Sequence, residues 1–241
     1  MPASFPTTVA AALALSLAAG SAVAQRNAID IKVRRPGDTV WVDLLVIQSA
    51  NPETIEVGVF YERASGYGFS GSVHNVLVSN WTSSESVTLL DRSDSAQHPD
   101  GRQGRFNFGA QRQQAYTTGI DAGRMRIGAA NNTVNAAGGG ISVKQAPPSV
   151  SGTLFDTSNP ALGFRFDLHF SGGSSSTVWE LTSPISHVAN FAIYQTETST
   201  SGSNVPLSSV VTDGALIVIP APGSMFVGVG AGLFARRRRR D

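Results

Sequence analysis

From Asn27 to Ile219 the apolar residues fall at every second position along one short run after another, and this period settles the fold class before any motif is weighed. A period of two sends successive side chains to opposite faces of a strand, one buried and one wet. Ile29, Ile31 and Val33 alternate with Asp30, Lys32 and Arg34. After the turn residues Pro36, Gly37 and Asp38, the run Val40, Val42, Leu44, Val46 alternates with Trp41, Asp43, Leu45 and Ile47. Because both faces of that run become apolar, it reads as a central strand covered on both sides, with Trp41 in the core. Ile55, Val57, Val59 and Tyr61 repeat the pattern against Glu56 and Glu62, and Met125 and Ile127 alternate with Arg124 and Arg126. Phe164, Phe166, Leu168 and Phe170, opposed by Arg165, Asp167 and His169, give the clearest case. Shorter strands are expected over 73–79, 86–90, 105–108, 141–143, 188–194 and 215–219.

Gly, Ser, Asn, Asp and Pro separate these runs, and no stretch of the body carries an apolar stripe at helical spacing. Many short strands without intervening helices predict an all-β fold, an antiparallel β-sandwich. The tracts 131–140, 172–176 and 198–204 read as exposed loops. The chain has no Cys, which excludes disulfides, thiolate metal sites and a cysteine nucleophile. Between Gln25 and Ile219 there are 13 basic and 16 acidic side chains, so the body offers no basic surface for nucleic acid.

The two ends differ from the body. Val9 to Ala19 is a short apolar run broken by Gly20, and Ala22-Val23-Ala24 places small residues where a signal peptidase needs them. Residues 1–24 are therefore expected to be a secretory signal peptide, cleaved between Ala24 and Gln25. At the other end, Pro220-Ala221-Pro222-Gly223 leads into twelve small or apolar residues, then Arg236, Arg237, Arg238, Arg239 and Arg240. Twelve helical residues span about 18 Å of a hydrocarbon layer about 30 Å thick, a short transmembrane helix whose Arg cluster stays cytoplasmic.

The segment 220–241 resembles the PEP-CTERM sorting signals of exported bacterial proteins, which join a Pro-containing motif, a brief apolar helix and an Arg-rich end. Ala221 stands where that family usually has Glu. The resemblance implies recognition by an exosortase-type enzyme and transfer to the cell surface, with the tail either removed or kept as an anchor. The stretch Pro36-Gly37-Asp38-Thr39-Val40-Trp41-Val42-Asp43-Leu44 resembles the opening strands of cohesin-like and carbohydrate-binding sandwiches. It implies a jelly-roll or Ig/cohesin-like arrangement for the domain 25–219.

Catalytic chemistry has little to stand on. His74, His98, His169 and His187 are scattered, with no pair at helical ligand spacing. Gly68-Phe69-Ser70-Gly71-Ser72 lacks the last glycine of a nucleophile elbow and sits in no strand-to-helix turn. Asp91, Asp94 and Asp100 share a polar loop, but their spacing is not that of an EF-hand, and Arg92 and Arg102 compete for them. Tyr67, flanked by glycines, and Trp81, after Asn80, are the aromatics best placed to stack on a sugar ring. The expectation is an exported, non-enzymatic sandwich with a structural or interaction role at the cell surface or in the extracellular matrix. It has no catalytic residues, metal or cofactor, and its partners are signal peptidase, an exosortase-type enzyme, the membrane through the tail, and exopolysaccharide. The alternative is a carbohydrate-binding module held at the surface.

Overall fold

The structure, a computed structural model, describes residues 25–47, 51–81, 86–89, 106–108, 111–115, 122–129, 141–151, 155–172 and 177–220. Its strands in chain order are β1 (Asn27–Arg34), β2 (Leu44–Val46), β3 (Glu53–Glu62), β4 (Gly68–His74), β5 (Val76–Val78) and β6 (Ser86–Leu89). Then come β7 (Phe106–Phe108), β8 (Gln111–Ala115), β9 (Met125–Ala129), β10 (Ile141–Gln145), β11 (Ala161–Phe170) and β12 (Thr177–Thr182). The last four are β13 (Asn190–Tyr194), β14 (Ser203–Asn204), β15 (Val210–Asp213) and β16 (Ala215–Ile219). A single helical turn, α1 (Pro148–Ser151), and 3-10 turns at Ile185–His187 and Leu207–Ser209 are the helical elements among the described residues.

The strands form three sheets, ordered β15-β1-β3-β11-β6 (sheet I), β14-β13-β4-β10-β7 (sheet II) and β2-β16-β12-β5-β9-β8 (sheet III). Only Asn75 separates β4 from β5, so one stretch of chain passes directly from sheet II into sheet III. Sheet I faces both. At one end of its long strands Tyr61 stacks on Phe69 of sheet II with ring centroids 4.1 Å apart. At the other end Phe170 meets Trp179 of sheet III edge-on at 5.7 Å. One contiguous core results, containing Ile29, Val57 and Phe166 from sheet I, Val143 and Phe191 from sheet II, and Ile127, Trp179 and Ile217 from sheet III. The alternation read from the sequence is what builds it: Ile55, Val57, Val59 and Tyr61 are all fully buried, as are Phe166 and Leu168.

The fold is mostly β and mostly antiparallel, but two pairings correct the all-antiparallel expectation. The last two strands return beside the first two, β15 parallel to β1 and β16 parallel to β2. Nothing local in a sequence encodes a pairing between segments this far apart. The run 40–47 is a second correction. It gives only the three-residue β2, at the edge of sheet III, with Val42 making a lone bridge to Val33. The apolar residues on both faces have a different cause from double coverage: Leu45 and Ile47 enter the core, while Val46 is exposed. The stretch 73–79 is likewise two strands in two sheets, broken at Asn75.

Trp41, expected in the core, lies half-buried on the outer face of sheet I. The turn before it has the shape its residues predict: Asp38 N–H donates to Arg35 C=O at 3.1 Å, with Gly37 at φ +89°. That positive φ suits glycine at the third position of a type II turn. The returning chain lays the indole against the Arg34 guanidinium, 4.2 Å from the ring centroid, and edge-on to Phe60. Gly58 makes the room, since a Cβ there would stand 2.9 Å from both aromatic rings.

Of the expected loops, residues 198–204 are almost wholly exposed, though Ser203–Asn204 pairs with β13, while 131–140 and 173–176 lie outside the described residues. Among the described residues no helix is long and apolar enough to cross a membrane; the expected spanning segment lies outside them.

Candidate functional site

Tyr67 and Trp81, the two aromatics expected to stack on sugar, are each half-buried and tied to different neighbours. Tyr67 stacks on Phe155 at 5.4 Å, and Phe155 packs edge-on to Tyr194. The Tyr194 hydroxyl donates to Gln145 C=O at 2.8 Å, and the Gln145 amide bonds Phe69 C=O and the backbone of Asp156. Trp81 instead tilts against buried Trp179, 6.1 Å away, and packs on the core. Each is a cover for the core, Tyr67 over Phe155 and Trp81 over Trp179. Asn80, at φ +53°, turns the chain there and donates to Val178 C=O.

The histidines fall in three places. His98 lies outside the described residues. His169 is half-buried on the outer face of sheet I, its Nδ1 3.0 Å from Thr54 Oγ1. His74 and His187 are buried together where sheet II passes into sheet III, a position that alternation and spacing do not reveal. His74 Nε2 meets the Tyr61 hydroxyl at 2.7 Å, and His187 Nδ1 lies 3.4 Å from the Asn75 amide nitrogen. Burial lowers the His74 pKa to about 3 and pushes that of Tyr61 up. His74 is therefore a neutral hydrogen-bonding ring at neutral pH. Its Nε2 is taken up by the Tyr61 hydroxyl, so the pair ties sheet II to sheet I across the core.

The outer face of sheet I carries a lattice of charge. Arg34 pairs with Glu56, Arg165 reaches the same carboxylate at 3.6 Å, and Lys32 bridges Asp30 and Asp43 at 3.1 and 2.7 Å. Burial raises the pKa of Asp30, against the pull of Lys32, and also that of Asp167, against the pull of Arg165. Two shallow grooves border this sheet. One, of about 160 Å³, includes Glu53 and His169, but Glu53 is held by Arg35 and His169 by Thr54. The other, of about 350 Å³, runs beneath Val40 and Val42 to Leu44. Among the described residues no three His, Asp or Glu side chains gather where they could hold a metal ion. The loop with Asp91, Asp94 and Asp100 lies outside them. Gly68 to Ser72 is a run of β4, where the Ser72 hydroxyl donates to Asn190 C=O.

Of the residues expected to serve export and sorting, Gln25 is exposed just before β1 and Pro220 half-buried just after β16. Ala22, Ala24, Ala221, Pro222, Gly223 and Arg236 to Arg240 lie outside the described residues.

Sequence reasoning missed a bare aliphatic face on sheet III. Val46, Val218 and Val178 stand side by side across β2, β16 and β12, with Leu44, Leu216 and Glu180 in the next row. Val46, Val178 and Leu216 are 43%, 40% and 37% exposed. The available signal was that Ala215 to Ile219 and the end of 40–47 are apolar on both faces although only one face can reach the core.

No family model matches the chain, and no curated protein matches it either. Among solved structures it is similar to the third cohesin of ScaC, in complex with the ScaB dockerin, from Acetivibrio cellulolyticus, at 11% identity and a TM-score of 0.40, covering 81% of this chain and 99% of that one. It is also similar to the seventh ScaB type I cohesin from Pseudobacteroides cellulosolvens, at 7% identity and a TM-score of 0.39, covering 84% and 99%. A third likeness is to the Coh-OlpA-Doc918 cohesin–dockerin complex from Clostridium thermocellum, at 11% identity and a TM-score of 0.38, covering 79% and 99%. At these values the likeness assigns no role to any residue.

Proposed function

We propose that this chain is an exported β-sandwich with a non-enzymatic structural or interaction role at the cell surface, and that its C-terminal segment sorts or anchors it. The observation that carries this reading is where the sandwich closes. Strand β16 is inserted between β2 and β12, with Ala215, Ile217 and Ile219 fully buried, so the last described strand of the core ends at the residue before Pro220. The tail begins where this last described strand ends, which supports its use by a separate machinery. The apolar stretch holds a bilayer weakly, since each of its Phe, Val and Leu residues contributes only about −0.3 to −0.6 kcal/mol on an insertion scale. The Arg cluster then fixes the stop and the orientation. Signal peptidase, an exosortase-type enzyme and the membrane are the partners this reading implies, with exopolysaccharide as the surrounding matrix.

The test is fractionation of an expressing bacterial host together with mass spectrometry of the exported chain. The expected mature N-terminus is Gln25, and replacing Arg236 to Arg240 with Ser should abolish retention or processing while the sandwich unfolds at the same temperature. A chain that still begins at Met1, or retention unaffected by loss of the Arg cluster, would overturn the reading.

A further inference from the structure

Strands β13 and β14 are joined by the eight residues 195–202, five of them Ser or Thr and all but Ser199 exposed. Three of the five hydroxyls build the loop. Ser199 N–H donates to Thr196 C=O at 3.1 Å, and Thr196 N–H donates to Ser199 Oγ at 3.0 Å. Thr196 Oγ1 lies 3.2 Å from Thr198 Oγ1 and 3.1 Å from Ser199 Oγ. Ser149 of α1 fastens this turn by donating to Ser199 C=O at 3.2 Å. Gly202 sits so close to β4 that a Cβ there would collide with Ser70. Thr200 and Ser201 lie between these two fixed points, exposed, and their hydroxyls enter no hydrogen bond in the described structure. They neither build the turn nor reach the core.

The loop stands at the end of the sandwich opposite Pro220. Tyr67 N–H donates to Tyr194 C=O at 2.7 Å, which ties the root of the loop to the turn that follows β3. The last residue of β3, Glu62, pairs with Ala28 at the start of β1. From that end β15 and β16 run parallel to β1 and β2, so the chain reaches Pro220 at the far side of sheet III. A sandwich held by its C-terminal segment therefore turns this loop away from the membrane.

We propose that Thr200 and Ser201 are acceptors of an O-linked sugar, transferred by a glycosyltransferase of the cell envelope from a sugar-phosphate donor. The hydroxyl oxygen bonds to the anomeric carbon of the sugar. The bond from that carbon to the donor's phosphate breaks, the phosphate leaves with the electron pair, and the hydroxyl proton passes to a base of the transferase. An exposed Ser- and Thr-rich stretch followed by a proline, here Pro206, has the composition of O-glycosylated segments. Its position at a loop tip gives a transferase access. The surroundings favour a neutral sugar over a phosphate. The sequence has no Lys or Arg between Arg165 and Arg236, so a phosphate here would face Glu197 with no basic residue of its own loop to pair with. The proposal rests on the cell-surface reading for the compartment in which transfer takes place.

The test is mass spectrometry of the full chain recovered from the envelope of its native cells. The chymotryptic peptide that begins after Tyr194 should be heavier by whole sugar residues, and fragmentation should place them on Thr200 or Ser201. T200A/S201A should lose the added mass while unfolding at the same temperature, since neither side chain is buried. A second arm needs no export: purified chain, given a labelled sugar nucleotide and membranes of the same cells, should take up label several-fold faster than T200A/S201A. A peptide at its unmodified mass, a phosphate in place of sugar, or label that survives the double substitution would overturn the proposal. A chain that still begins at Met1 but takes up label at Thr200 or Ser201 would overturn the export reading and uphold the acceptor.

Discussion

The outer faces of sheet I and sheet III solve the same problem in opposite ways. Both sheets bury an alternating aliphatic and aromatic face against the same core, and both turn the other side outward. Sheet I fills its outer side with Asp167 and with Arg34, Glu56, Lys32 and Arg165, the last four tied by ion pairs, and is partly roofed by Trp41. Sheet III leaves Val46, Val178, Leu216 and Val218 there. A face of paired charges is finished in water, whereas a face of valines on an edge is complementary to something apolar. The difference separates a face whose charges pair with one another from a face that leaves aliphatic side chains partly in water.

The comparison rests on inner faces that are equivalent, so the largest effects should be the same on both. Phe166→Ala in sheet I and Trp179→Ala in sheet III each remove a fully buried ring and should each cost about 3 to 5 kcal/mol in urea unfolding. A much smaller loss for one would show that the sheets do not share one core.

Acid should act on the junction they have in common. The His74 pKa is about 3 in the fold and 6.5 in the open chain, so the unfolded chain takes up the proton first and stability falls as the pH drops below 6.5. By pH 4.5 the loss should reach about 3 kcal/mol. His74→Gln, which keeps a partner for the Tyr61 hydroxyl, should flatten that slope; a slope unchanged by the substitution would place the acid sensitivity elsewhere.

The outer faces should then separate. Glu56→Ala strips the carboxylate from Arg34 and Arg165, the former 8% exposed, and should cost about 2 to 3 kcal/mol by thermal unfolding. Val178→Thr on the outer side of sheet III should change unfolding by no more than about 0.5 kcal/mol in the sandwich itself. Equal costs would erase the distinction between the two faces.

Sheet I was legible because apolar residues fall at alternate positions over 29–33 in β1, 55–61 in β3 and 164–170 in β11. Sheet III was not. In β12 the neighbours Val178 and Trp179 are both apolar, which blurs the period, and the exposed Val178 looks as core-like as the buried Trp179. The segment 210–213 carries too few apolar residues to register, yet β15 lies beside β1. Position within a sheet was also hidden: the end of the 40–47 run has the composition of a central strand and the place of an edge, because its second apolar face looks outward. For the site, the aromatic candidates could be named but not their packing, since Phe155 and Trp179, which hold them in place, lie far along the chain. His74 owes its burial to Tyr61 on a facing sheet, a neighbour that only the folded chain supplies.

The two parallel pairings carry a mechanical consequence. The first strands of the chain, β1 and β2, are zipped in parallel to its last, β15 and β16. A tether at Pro220 and a load applied near Gln25 would pull these partners in opposite directions along their own axes. Their hydrogen bonds are then sheared together, where a hairpin pulled from its open end peels one bond at a time. A sandwich closed in this way resists tension along the line joining its two ends. Force spectroscopy should find a higher rupture force when the chain is stretched from residues 25 and 220 than when it is stretched from 25 and the exposed turn at Ser201.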